Sequence, residues 1–173
     1  MATDILSLLR RDHQDLDHDL AALLDATASI GTIRIALDGV RLGLTAHAEA
    51  EDIVFHSSLA HCRAARALEL VVDEASQAHH LQEVVLSGLV CSPLGSATWY
   101  NNAGWLRQLV HEHATYEEQA VLPVIKELAP ELYPSLAGRF ATERLRQLSM
   151  LAPSAPLYVP ASIRAQMPKR AAG

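Results

Sequence analysis

The sequence predicts an all-α protein, an antiparallel up-down four-helix bundle of two pseudo-symmetric helical hairpins with a short C-terminal fifth helix. Three observations carry this. Half of the 173 residues are hydrophobic but only 5% are aromatic, a Leu, Val, Ile and Ala palette that favours helices and gives thin strand signals. Apolar residues recur at three- and four-residue spacing along most of the chain, the period of a helix with one buried face. Core-type and ligand-type residues also repeat at a constant offset of 66 positions.

The first helix is expected over roughly residues 3–26, with Ile5, Leu9, Leu16, Leu20 and Leu23 on its buried stripe and Thr3 as its cap. Ser29-Ile30-Gly31-Thr32 breaks the pattern, and Thr32 is placed to cap a second helix running to about residue 63. Ile33, Ala36, Val40, Leu44, Val54 and Leu59 mark its inner side. A third helix covers residues 67–90 with Leu68, Val72, Ala75, Leu86 and Leu89 aligned. The stretch from Cys91 to Ser96, with Pro93 and Gly95, is a loop, and Ser96 or Thr98 caps the fourth helix. That helix runs to residue 128 and buries Leu106, Val110, Val121 and Val124; Pro123 kinks or shortens it. A fifth helix runs from Pro134 to Met150 through Leu136, Phe140, Leu145 and Leu148. Residues 1–150 thus read as one bundle domain, and 151–173, with four prolines and no periodicity, as a flexible tail.

Composition narrows the functions. The net charge of −6 argues against a nucleic-acid surface, which needs clustered Lys and Arg. No uncharged apolar stretch is long enough to span a membrane, and charges interrupt the N-terminal apolar run, unlike a signal peptide. Cys62 and Cys91 form no CxxC pair and read as small buried hydrophobes in a reducing cytoplasm.

The unusual count is nine histidines. His13 and His79 are 66 residues apart, as are His47 and His113, Glu51 and Glu117, and Asp52 and Glu118. Leu20 and Leu86, Leu23 and Leu89, and Leu44 and Val110 share the offset. Each long helix also carries a histidine with an acid four residues on: His13/Asp17, His47/Glu51, His79/Glu83 and His113/Glu117. Residues at that spacing share a helix face, and all four histidines lie in phase with apolar stripes. Buried carboxylates are costly unless paired or coordinated, and nearby cations are few. A metal centre supplies the partner, as four-helix bundles do for dimetal sites. Asp17 and Glu83 read as surface acids or as groups orienting an imidazole. His80 lies off the stripe but stands one residue from His79 and is the alternative on that helix. His18, His56, His61 and His111 read as surface or supporting groups.

Asp12-His13, His47-Ala-Glu-Ala-Glu51-Asp52-Ile-Val-Phe55 and His113-Ala-Thr-Tyr-Glu117-Glu118-Gln-Ala-Val-Leu-Pro123 resemble the hemerythrin-like family, specifically its bacterial HHE cation-binding domains. The resemblance spans about residues 5–128. It implies that His13, His47, Glu51, His79, His113 and Glu117 are metal ligands, with the glutamates bridging or chelating two irons. Two positions depart from the family pattern: Ser57 replaces a common proline, and Ala78 stands where the third helix usually has glutamate.

Imidazole and carboxylate donors suit Fe, Mn or Zn; the resemblance is what favours iron. The leading expectation is a non-haem di-iron protein that binds or senses O2 or NO, or serves iron homeostasis. An enzyme that handles peroxide or repairs oxidative or nitrosative damage ranks below it, because no separate substrate motif is present. A bundle merely locked by metal is the third reading. A homodimer contact is one use open to the fifth helix and tail.

Overall fold

The computed structural model describes residues 4–60 and 62–151. Its elements are α1 (Ile5–Leu24), α2 (Ile30–Leu59), α3 (Ala65–Cys91), α4 (Ala97–Tyr116), a π-helical turn (Glu117–Val121), α5 (Leu122–Leu128) and α6 (Tyr133–Leu151). The expected tail from residue 152 and the expected cap Thr3 lie outside the described residues, as does His61.

Serines set two of the helix starts. Ser96 Oγ accepts the Trp99 N–H at 3.1 Å, one of the two expected caps. At α2 the cap is Ser29, not Thr32: Ser29 Oγ accepts the Thr32 N–H at 3.1 Å. The helix therefore begins three residues earlier, and Thr32 lies in its first turn. Such a side chain satisfies one of the amide donors that a helix start leaves open.

The fourth helix does not continue evenly to residue 128. Leu122 N–H bonds back to the Glu117 carbonyl, a five-residue reach that widens the turn. Pro123 explains it. A proline has no N–H to give and crowds the carbonyl four residues earlier; a π turn just upstream absorbs both effects.

The four long helices close a ring, α1 against α2, α2 against α3, α3 against α4 and α4 back against α1, and α6 lies along α2 and α1. The interior holds two apolar clusters. One gathers Ile5, Leu9, Val54, Phe55, Leu68, Val72, Val121, Ile125, Leu136 and Phe140. The other gathers Leu16, Leu20, Leu23, Val40, Leu44, Leu86, Leu89, Trp99, Leu106 and Val110. Between them in sequence, on every long helix, comes a buried histidine: His13, His47, His79 and His113. The apolar clusters thus sandwich a polar layer.

Three burial expectations need correction. Leu145 is exposed, because α6 meets the bundle on a narrow stripe of Leu136, Ala137, Phe140 and Gln147. Cys91 is exposed and Cys62 only partly covered; both are free thiols. Cys91 is the final residue of α3, past the stripe that ends in Leu89. Among the described residues, no helix is long and apolar enough to cross a membrane.

Candidate metal centre

The sequence places His47 and Glu51, and His113 and Glu117, one helical turn apart on inward faces. His13 and His79 come from α1 and α3. The fold brings all six together: His13, His47, His79 and His113 are at most 6% exposed, Glu51 1% and Glu117 fully covered. Ring centroids of His13 and His47 lie 4.9 Å apart, and those of His79 and His113 4.4 Å. Rings from opposite pairs lie further apart, at 6.0 to 6.4 Å. The histidines therefore form two pairs, one from α1 and α2 and one from α3 and α4.

The carboxylates lie between them. Glu117 Oε2 is 3.2 Å from His13 Nε2 and 4.0 Å from His113 Nε2. Glu51 Oε2 is 3.3 Å from His47 Nε2, 3.8 Å from His79 Nε2 and 4.0 Å from His113 Nε2. Each glutamate thus reaches imidazoles of both pairs.

Whether these groups fit a metal can be judged from the protein's own atoms. His13 Nε2, His47 Nε2, and both oxygens of Glu51 and of Glu117 are buried with no hydrogen-bond partner among the described residues. Buried polar atoms in native proteins are nearly always satisfied, so this many orphans in one layer call for a missing partner. His79 Nε2 and His113 Nε2 face each other at 3.0 Å, about the spacing of two nitrogens bound side by side at ~2.1 Å from one ion. Two overlapping sets, His13/His47/His113/Glu117 and His47/Glu51/His79/His113, each keep one donor atom per residue within 4.8 Å of the others. The donor set fits.

Three of the outer ring nitrogens have a carboxylate behind them, two of them within hydrogen-bond distance. His13 Nδ1 donates to Glu118 Oε1 at 3.1 Å, and Glu118 Oε2 accepts from Arg10 Nε at 2.7 Å. His79 Nδ1 donates to Asp52 Oδ1 at 2.9 Å, which also accepts from Ser76 Oγ at 2.7 Å. His47 Nδ1 lies 3.5 Å from Asp12 Oδ2, and Arg144 of α6 pairs with that oxygen. A carboxylate on Nδ1 fixes the tautomer that leaves Nε2 free for a metal. Phe140, also on α6, packs edge-on to the His47 ring at 5.7 Å.

Electrostatics splits the groups. Burial pushes the His13 pKa down to about 4, with the His47 charge acting the same way, and burial takes His113 down to about 3. Burial opposes the charged form of His47 as well, but Asp12 and Glu51 outweigh it and raise its pKa to about 10. Glu51 is held below the usual carboxylate range, since the charges of His79, His113 and His47 overcome its burial. Glu117 is raised by burial and by the neighbouring Glu51 charge. Two carboxylates in one dry site divide in this way.

The hemerythrin HHE cation-binding domain model matches residues 4–125. The chain belongs to this family. No curated protein and no solved structure gives a significant match. For this hemerythrin-family chain the supporting residues were the harder ones to foresee. Asp12, Asp52 and Glu118 sit beside predicted ligands in sequence, but Arg10 and Arg144 gave no signal of a role at the site.

The remaining predicted positions lie apart from the cluster. His80 and Glu83 are each 79% exposed and 3.9 Å from one another, so His79 is the α3 histidine inside the bundle. Asp17 pairs with Arg107 at 2.8 and 3.2 Å. His56 contacts Ser76 Oγ at 3.2 Å, and the Tyr116 hydroxyl donates to Glu74 at 2.7 Å.

Proposed function

We propose that this protein holds two iron ions through His13, His47, Glu51, His79, His113 and Glu117, and uses them to bind or sense O2 or NO. The observation that carries the reading is the single buried layer of orphaned imidazole and carboxylate atoms from four helices. One ion would take the α1–α2 histidine pair and the other the α3–α4 pair, with both glutamates between. Kinship with hemerythrins favours iron over Mn or Zn, which the same donors also accept. When bound, such a centre supplies open coordination positions for a small diatomic ligand.

Access supports ligand binding over a purely structural metal. A cleft of about 570 Å³ between α1 and α4 is bordered by His13 and Glu118, and another of about 170 Å³ between α2 and α3 by His79 and Asp52, so the layer lies one side chain from solvent on two sides. Each is ample for a diatomic. Iron homeostasis, through uptake and release of the ions, is a use of the same site. The up-down arrangement belongs to this proposal too. Successive helices meet the two apolar clusters in opposite order, and their connections are short, as antiparallel neighbours require. Residues 1–150 would then act as one domain, and the free thiols fit a reducing cytoplasm.

The test is elemental analysis of the protein as purified and after anaerobic Fe(II) loading, with optical spectra before and after O2 or NO. Two irons per chain and a reversible spectral change are expected. Less than one iron retained after gel filtration would overturn the proposal. Turnover of peroxide without reversible binding would move the protein to an enzyme, and a silent metal that only raises Tm would make it a structural one.

A further inference from the structure

Three of the four buried histidines have a carboxylate behind Nδ1: Glu118 for His13, Asp52 for His79 and Asp12 for His47. His113 does not. Its Nδ1 is buried and, among the described residues, has no carboxylate within ion-pair distance; His47 Nδ1 makes no hydrogen bond either, but Asp12 Oδ2 stands 3.5 Å from it. The 66-residue register says why. His13 with Glu118 and His79 with Asp52 are the same contact made twice, since both members are offset by 66. His47 with Asp12 should likewise recur as His113 with residue 78, and residue 78 is Ala78. A methyl group stands where its counterpart carries a carboxylate.

The α3–α4 pair also lacks the guanidinium groups of the other pair. Arg10 secures Glu118 and Arg144 secures Asp12, whereas Asp52 is held by the Ser76 hydroxyl. One turn beyond Ala78, Gln82 is buried and its Oε1 has no partner either. A neutral amide is in any case a poorer acceptor for an imidazole N–H than a carboxylate.

We propose that the two metal positions are unequal, and that Ala78 makes the position served by His79 and His113 the weaker and more readily emptied one. The proposal rests on the two-ion reading above. A ring whose Nδ1–H meets a carboxylate is a more basic ligand and is fixed in rotation, and loss of such a partner lowers metal affinity by about 10- to 100-fold. In the first pair His13 has that support as a hydrogen bond and His47 has a carboxylate 3.5 Å behind its Nδ1, whereas in the other pair His79 alone has one.

The test uses the full-length protein, stripped with chelator and titrated anaerobically with Fe(II) against a chromophoric competitor. Two binding steps at least about tenfold apart are expected. Ala78→Asp should strengthen the weaker step by about 10- to 100-fold and leave the tighter one unchanged. Equal affinities in the unaltered protein would overturn the inference, and so would a folded Ala78→Asp protein with an unchanged weak step. If that variant does not fold, Asp12→Asn and Asp52→Asn decide. Asp12→Asn must weaken the tighter step and Asp52→Asn the looser one, and the reverse assignment sinks the idea. A protein that takes up only one ion removes the two-ion reading itself, while two ions of equal affinity remove only the inequality.

Discussion

Arg144 of α6 pairs through Nε with Asp12 of α1, on the same Oδ2 that stands 3.5 Å from His47 Nδ1. A helix outside the four-helix ring thereby holds the carboxylate that orients a candidate ligand. Removing the guanidinium leaves a mostly buried acid short of its cation, free to turn away from the ring. Arg144→Leu should lower metal affinity by about tenfold, with Arg144→Lys recovering part of the loss. Chelator competition beside far-UV circular dichroism would check this; a folded Arg144→Leu protein of normal affinity would remove the role.

Glu51 and Glu117 lie in the layer, whereas Glu83 is on the surface. Glu51→Ala or Glu117→Ala should therefore reduce metal per chain well below the level in Glu83→Ala. Elemental analysis of the three purified variants suffices, and equal contents would refute the ligand assignment.

Metal loading should release protons. His47, raised to about 10, carries its proton at pH 7 before loading and must shed it from the donating nitrogen. His13 and His113, lowered to about 4 and about 3, are already neutral. Because the metal-free state binds the extra protons, affinity rises with pH across the neutral range, about tenfold per pH unit for each proton released. Calorimetry in two buffers of different ionisation enthalpy counts the protons. A count of zero at pH 7 would contradict the raised His47.

Phe140 is 1% exposed and belongs to the apolar cluster of Ile5, Phe55 and Ile125 while also touching the His47 ring. Phe140→Ala should cost about 3–5 kcal/mol of stability, whereas truncating the exposed Leu145 on the same helix should cost under about 0.5 kcal/mol. Urea denaturation of the two variants gives the comparison. Similar midpoints would mean that α6 is not docked as described.

The helices and the six clustered residues were legible because both follow local rules. Helical spacing puts His47 beside Glu51, and an internal repeat tests each choice against a second copy. The supporting layer depends instead on which helices become neighbours. Asp12 sits next to His13 in sequence yet serves His47, because its side chain leaves α1 toward α2. Arg144 lies 97 residues from His47, and no periodicity connects them. The Thr32 expectation failed for a subtler reason: Ser29-Ile-Gly-Thr32 contains two residues able to cap, and the earlier one gains the extra turn of helix. Pro123 announced a disturbance but not its form. The chain answers it with a widened turn that begins at Glu117, a candidate ligand.

The family match stops at residue 125, but α6 lies beyond it. A fragment trimmed to the matched span would retain every candidate ligand and still fail as a miniature of the whole. It would uncover the oily seat left by Leu136 and Phe140 along α2, inviting self-association, and would set Asp12 free to swing. The shortest piece expected to stay monodisperse and hold its metal tightly must run past Arg144.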